Sequence, residues 1–275
     1  MSVMGDLIER RFGERVEAEV PPDGEPALRR MLARSVRRAF LDKPVDRALL
    51  RTLCAAALAS PTKSDLQQGD ILILDDAARR AAIFATIPDH PWLAAAPVFL
   101  VFLGNNRRQR QIHAWRGKPF ANDHLDAFFN ATVDAAIVMA TFVAAAEAVG
   151  LGCCPISQIR NQARIVSDVL ELPEHVFPVA GLALGWPSRD GELSLRLPLD
   201  VRVHHDRFNE AGLPAGIDAY DRRRAAVQPY RRQRDEARFG RAAFYGWSED
   251  KARQYARAER DSFGAWVRAQ GFNLD

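Results

Sequence analysis

Residues 122–150 read NDHLDAFFNATVDAAIVMATFVAAAEAVG. A polar start at Asn122 and Asp123 and a glycine stop at Gly150 frame one long helix. Between Ala131 and Ala146 apolar residues cover nearly its whole circumference, which demands burial on several sides. The uncharged run Ala135–Ala146 is too short to span a bilayer and is bracketed by Asp134 and Glu147, so the segment reads as a buried helix of a soluble protein. Two placements are open: the central helix of one subunit's core, or a helix packed against its twin across a dimer axis.

Outward from this helix, short apolar strands alternate with helical patterns. Residues 71–74 (ILIL), 97–104 (PVFLVFLG) and 177–187 (FPVAGLALGWP) read as strands, the last ending in a Gly-Trp-Pro turn. Helical spacing marks 45–60, 76–87 and 163–173. The result is a layered α/β or α+β domain. Residues 3–20 are helical and polar and PPDGEP breaks the chain after them. SEDKARQYARAERDSFGAWVRAQG, with Ser248 as N-cap and Gly271 as stop, reads as one final amphipathic helix. The expected division is an N-terminal arm (1–28), a core (29–210) and an arginine-rich helical extension (211–275), in which residues 222–241 hold eight arginines against Asp235 and Glu236.

A chain of 275 residues with 48% apolar residues and a net charge of +3 can bury a full core, and nothing at whole-chain level calls for nucleic acid or an anionic membrane. Three cysteines, two of them adjacent (Cys153 and Cys154), fit a reducing cytoplasm better than a disulfide framework. The first twenty residues lack the apolar core of a signal peptide. No metal site is expected: Cys153–Cys154 has no partner at ligand spacing, and His204–His205 on a strand would point to opposite faces.

RSVRRAF at 34–40 places three arginines in seven residues. Such a cluster is either a solvated helix face or an anion cradle, since guanidinium matches phosphate and carboxylate geometry. Three further segments resolve the choice: SPTKSDLQ (60–67), GLGCCPISQIRN (150–161) and PVAGLALGWPSRDGELSLRLP (178–198). Together and in this order the four resemble the nitroreductase family of FMN enzymes, in particular its longer-chain NADPH-dependent nitroreductases and flavin reductases. The resemblance covers residues 29–210 well and the remainder loosely.

The resemblance implies an α+β fold, a mainly antiparallel central sheet flanked by helices, and a homodimer with the long helix at its axis. Arg34, Ser35 and Arg37 or Arg38 would hold the FMN phosphate and the pyrimidine edge of the ring. Thr62, Lys63, Ser64, Asp65 and Gln67 would meet the ring's polar edge and the ribityl chain. Cys154, Pro155, Ile156 and Ser157 would lie along the ring, and Arg196 would add a second phosphate contact. No side chain is expected to act as nucleophile: hydride would pass from NADPH or NADH to flavin N5 and then, by a ping-pong course, to a nitroaromatic, quinone or flavin acceptor. Arg231, Arg232 and Arg234 are candidates for the 2′-phosphate of NADPH, with most of the other arginines on a solvated helical face.

The departures from the family pattern bear on substrate range. Arg37 and Arg38 compete for one role. Asp65 stands where asparagine is usual, and its charge would repel a reduced flavin unless Lys63 or an arginine pairs with it. Ser157–Gln158 replaces a glycine pair. Two alternatives follow: other FMN chemistry on the same scaffold, such as reductive dehalogenation or flavin fragmentation, or a nucleic-acid-binding regulator using residues 222–241.

Overall fold

A computed structural model of the chain describes residues 2–275. Four strands are present among them: β1 (Gly69–Ile73), β2 (Val98–Asn105), β3 (Gly152–Ile156) and β4 (Val176–Gly185). The helices are α1 (Val3–Phe12), α2 (Glu25–Ala33), α3 (Arg47–Leu58), α4 (Ala77–Ala85), α5 (Arg107–Trp115), α6 (Leu125–Ala148), α7 (Ala163–Val169), α8 (Leu213–Val227), α9 (Glu236–Phe239), α10 (Trp247–Tyr255) and α11 (Phe263–Ala269). The chain divides into two compact units, Met1–Ser35 with Glu192–Glu259, and Val36–Gly191 with Arg260–Asp275. These cuts differ from the three-part division expected from composition: the first 35 residues group with 192–259, and the last 16 with the sheet.

The second unit holds the sheet, in the order β1-β2-β4-β3 with every pairing antiparallel. The central pair, β2 and β4, is covered on both faces, which is why both strands read as continuous apolar runs. Alternation sends Phe99, Val101 and Leu103 to the side of α4 and α7, and Leu100 and Phe102 to the side of α3 and α6. Cys154 faces the first layer and Cys153 the second, so their adjacency in sequence becomes separation across the sheet. A third apolar cluster joins Phe177 of β4 to Val267 and Phe272, with Phe128 of α6 and Phe263 packed against it.

α6 is the longest helix, and by length and apolarity alone it passes as a membrane span, but its residues Ala131, Ala135, Val138, Phe142 and Ala146 are buried against the sheet and its flanking elements. Its cap is His124, whose ring nitrogen accepts from the Asp126 amide, in place of Asn122 or Asp123. α5 has no counterpart in the apolar pattern, because RRQRQIHAW carries little apolar periodicity.

The first unit is helical. α1 stops at Gly13, in the left-handed region at φ 86°, well short of residue 20. The expected single C-terminal helix is two, α10 in this unit and α11 in the sheet unit, with Arg260 between them in sequence at φ 59°. Ser248 is not the N-cap: it lies inside α10, and both its amide (2.9 Å) and its hydroxyl donate to the buried Asp221 of α8. That carboxylate supplies the acceptor a capping side chain would have provided. His204 and His205 lie outside any strand, with the His204 ring against Phe208 at 4.7 Å. Among the described residues no cluster of His, Cys, Asp or Glu could hold a metal ion.

Candidate active site

The expected flavin residues fall in both units. Arg37, Arg38, the loop Thr62–Gln67 and the strand residues Cys154–Ser157 belong to the sheet unit; Arg34, Ser35 and Arg196 belong to the helical unit, as do Arg231, Arg232 and Arg234.

In the sheet unit, residues 36–41 run beside the end of the sheet. The Arg37 amide donates to the Cys153 carbonyl (3.0 Å), Leu41 to Trp186 (2.8 Å), and Phe40 bridges Pro187. Gly152 permits this approach, since a Cβ there would stand 2.7 Å from the Arg37 side chain. Because Cys153 directs its carbonyl outward from edge strand β3, Pro155, two residues on, shares that outward side, where its missing N–H costs no ladder bond. The two competing arginines separate: the Arg37 guanidinium donates to the Arg189 carbonyl (2.8 Å) and lies 3.4 Å from Asp190, whereas Arg38 is exposed with no side-chain partner among the described residues.

The loop after α3 is the most strained segment of this unit. Ser64, Asp65 and Gln67 all sit at positive φ (51°, 57° and 53°) without a glycine among them. Non-glycine residues persist there only where their surroundings over-determine them. Here the surroundings do so. Asp134 of α6, 1% exposed, accepts from the Lys63 amide with Oδ1 and from the Gln68 amide with Oδ2, each at 3.0 Å. From α5, Gln109 donates to the Leu66 carbonyl (2.7 Å) and Arg108 to the Gln67 carbonyl (2.5 Å). Thr62 Oγ1 accepts from the Gln67 amide (3.2 Å). Gly69 lets the loop close onto α6, because a Cβ there would lie 2.9 Å from Val138 and 3.1 Å from the Asp134 carbonyl.

Asp65 is met by neither Lys63 nor an arginine. Its Oδ1 accepts from the side-chain Nε2 of Gln67 (3.0 Å), so the compensating cation expected from sequence is replaced by a neutral donor. The buried Gln68 accepts from Asn106 through Oε1 (2.8 Å), while its Nε2 has no partner among the described residues.

A cavity of about 360 Å³ opens in the same unit, lined by Arg160, Asn161, Arg164, Arg260, Phe263 and Trp266 among others. Burial lowers the Arg160 pKa, and the nearby Arg260 lowers it further. Arg160 also donates to the Val179 carbonyl.

In the helical unit, Arg34 caps the C-terminus of α2, Ser35 is buried, and the Arg196 amide donates to the Arg11 carbonyl (2.7 Å). Arg231, Arg232 and Arg234 line a cavity of about 480 Å³ with Tyr230 and Asp250. Their loop is tied at several points: Gln233 and Ala242 exchange two bonds of 2.8 Å, the Arg234 amide donates to Tyr245 Oη (2.8 Å), and buried Arg253 donates to the Arg234 and Gly240 carbonyls. Burial pushes the Asp250 carboxyl up, but bonds from Lys251 and Tyr245 and the charge of Arg234 more than offset it, leaving a net lowering. The neighbouring Arg223 is no solvated helical residue: it donates to the carbonyls of Glu9, Arg11 and Arg196.

Sequence reading missed Asp134, Gln109, Arg108 and Arg11. Asp134 alone carried a usable signal, as the single charge within the apolar face of the long helix, where a buried carboxylate must find donors.

The antiparallel sheet between helical layers is the nitroreductase fold: the B. megaterium protein NfrA2 superposes with a TM-score of 0.82 at 27% identity, over 91% of this chain and 99% of its own. The NADPH:FMN oxidoreductase of Vibrio harveyi, solved with NAD+, superposes at 0.78 and 26% identity, over 90% and 98%. The model of the nitroreductase family matches residues 32–186, and that of the family's C-terminal domain matches 194–275. The chain belongs to the nitroreductase family. Its relatives include an FMN reductase (NAD(P)H) of Bacillus subtilis, 29% identical over 86% of this chain and 94% of that protein. An oxygen-insensitive NADPH nitroreductase of Salmonella typhimurium is 35% identical over 64% and 71%.

Proposed function

We propose that the protein is an FMN-dependent NAD(P)H oxidoreductase that reduces nitroaromatic, quinone or flavin acceptors by a ping-pong course. The observation that carries the reading is that the backbones of Arg34 and Arg196, far apart in sequence, are both tied to buried Arg11 in the helical unit, the Arg34 carbonyl to its side chain and the Arg196 amide to its carbonyl. Two guanidiniums held by their backbones suit a phosphate monoester. The donor set fits FMN: arginines for the phosphate, and the hydroxyl and amide side chains of Thr62, Ser64 and Gln67 for a polar ring edge and ribityl chain.

Bound FMN would supply the two-electron carrier between NAD(P)H and the acceptor. The protein's part is to bind, orient and stabilise. Exposed Arg38 is the cation available for the negative charge that reduction places on the ring's pyrimidine edge. Asp134, through the strained loop, fixes where Thr62, Ser64 and Gln67 present their polar groups. Arg231, Arg232 and Arg234, on a loop already tied in place, suit the 2′-phosphate of NADPH. Arg160 and Arg260 give the sheet unit's cavity a cationic wall that suits the negatively polarised oxygens of a nitro or quinone acceptor.

A homodimer is supported by α6, whose Phe129, Val133, Ala136, Ile137 and Ala140 stay partly or fully exposed although apolar. The cytoplasm is the compartment that suits the cysteines.

The test is the visible spectrum of the purified protein after FMN addition and desalting, followed by NADPH and NADH oxidation with a nitroaromatic or a quinone. A retained flavin band and acceptor-dependent oxidation are expected. A colourless protein that FMN cannot reconstitute would end this reading.

A further inference from the structure

We propose that the N-terminal helix α1 is part of the flavin-phosphate site: Arg11 positions Arg34 and Arg196, and so sets a preference for FMN over riboflavin. This rests on the assignment of those two arginines to the FMN phosphate.

Arg11 is 6% exposed at the end of α1. Its Nε donates to the Leu32 carbonyl (3.0 Å) and its Nη2 to that of Arg34 (2.5 Å), at the C-terminal end of α2, where carbonyls lack intrahelical partners. The carbonyl of Arg11 accepts from the Arg196 amide (2.7 Å). One residue thus holds both segments, with its side chain on Arg34 and its backbone on Arg196. Arg223 closes the arrangement, since its Nη2 donates to the carbonyls of Arg11 (3.0 Å) and Arg196 (2.9 Å). Its Nη1 donates to the Glu9 carbonyl (3.3 Å), placing a cation at the C-terminus of α1. Gly13 makes room: a Cβ there would stand 2.6 Å from the Arg223 guanidinium.

α1 lies upstream of residue 32, where the family model begins. Its chemical value is plain. Two guanidiniums that share one phosphate repel each other, so fixing their backbones favours a common site; Arg11 fixes both, and the Arg196 Nη1, which donates to the Leu195 carbonyl (3.0 Å), would turn to the phosphate on binding.

The phosphate is the one group that riboflavin lacks, so comparison of the two flavins isolates the effect. Dissociation constants for FMN and riboflavin are measured by quenching of flavin fluorescence on the full-length apoprotein, for wild type, Arg11→Met and Arg223→Gln. Thermal unfolding confirms that each variant is folded, and Arg223→Gln, which leaves the Arg11 side chain in place, serves if Arg11→Met does not fold. Expected is a loss of FMN affinity of about tenfold or more with riboflavin affinity unchanged, so that the preference collapses. An equal loss for both flavins, or none, overturns the role of α1, because a merely structural helix would not distinguish them. A wild-type protein that binds both flavins alike, or neither, sinks the phosphate assignment itself and this proposal with it.

Discussion

Asp134 is the residue whose removal most directly tests how the loop after α3 is held. Its carboxylate accepts two backbone amides, Lys63 and Gln68, at 3.0 Å each and is 1% exposed. Hydrogen bonds to a buried charge are worth about 1.5 to 3 kcal/mol each, so Asp134→Ala removes about 3 to 6 kcal/mol of gross interaction. Part of this returns when the loop relaxes, because left-handed Ser64, Asp65 and Gln67 each store on the order of 1 kcal/mol. The net loss in urea unfolding should be about 2 to 4 kcal/mol. Asp134→Asn keeps one acceptor but sets its NH2 against the second amide, and should lose roughly half as much. Hydrogen exchange locates the effect: amides in a peptide spanning 60–70 should exchange faster in both variants, while those of β2 and β4 keep their protection. A loss below about 1 kcal/mol with unchanged exchange in 60–70 would refute the clamp.

Arg34→Ala and Arg196→Ala should each weaken FMN binding by about 1.5 to 3 kcal/mol, and wild-type affinity in both would move the phosphate elsewhere. Replacing Arg231 and Arg234 together should raise KM for NADPH far more than for NADH; equal effects on the two nucleotides would remove the 2′-phosphate assignment. His175 links β4 to the C-terminal tail, its ring nitrogen Nε2 donating to the Gly271 carbonyl (2.8 Å). Burial and then the charge of Arg110 lower its pKa below the ordinary 6.5, against the Gly271 bond, Glu174 and Asp123. The unfolded chain therefore takes up the proton first, and stability present above pH 6.5 should fall as the pH drops below it. His175→Gln should flatten that slope in thermal scans between pH 7 and 5; an unchanged slope would assign it to other groups.

The sheet was legible because its central strands are buried on both faces: VFLVFLG and VAGLALG admit little else. α6 was legible for the same reason. What escaped has physical causes. The left-handed loop carries Ser64, Asp65 and Gln67, where a reader looks for glycine or asparagine, because tertiary bonds from Asp134, Gln109 and Arg108 impose its shape. The break between α10 and α11 likewise has no glycine or proline to mark it, and Arg260 turns it at φ 59°. Four motifs in order located the candidate residues, but nothing in RSVRRAF reveals that Arg37 is taken up by the 189–190 turn while Arg38 is exposed. Nor does periodicity reveal Arg11, whose role depends on which carbonyls it meets.

The two units support their polar groups by different means, and the difference has consequences under the proposed function. In the sheet unit a strained loop is held by a buried carboxylate and two side chains of α5, so a perturbation there shifts the geometry of neutral donors by fractions of an ångström. Such donors discriminate between oxidised and reduced flavin, and their displacement should alter the absorption spectrum and the reduction potential more than the affinity. In the helical unit guanidiniums are fixed through carbonyls, and they meet a phosphate whose charge is the same in both redox states. Changes at Arg11 or Arg223 should therefore weaken oxidised and reduced flavin equally and leave the potential where it was. Potentials measured on Asp134→Asn and Arg223→Gln would separate the two kinds of support. A shift in the second variant as large as in the first would mean that the phosphate arginines also report on the redox state of the ring.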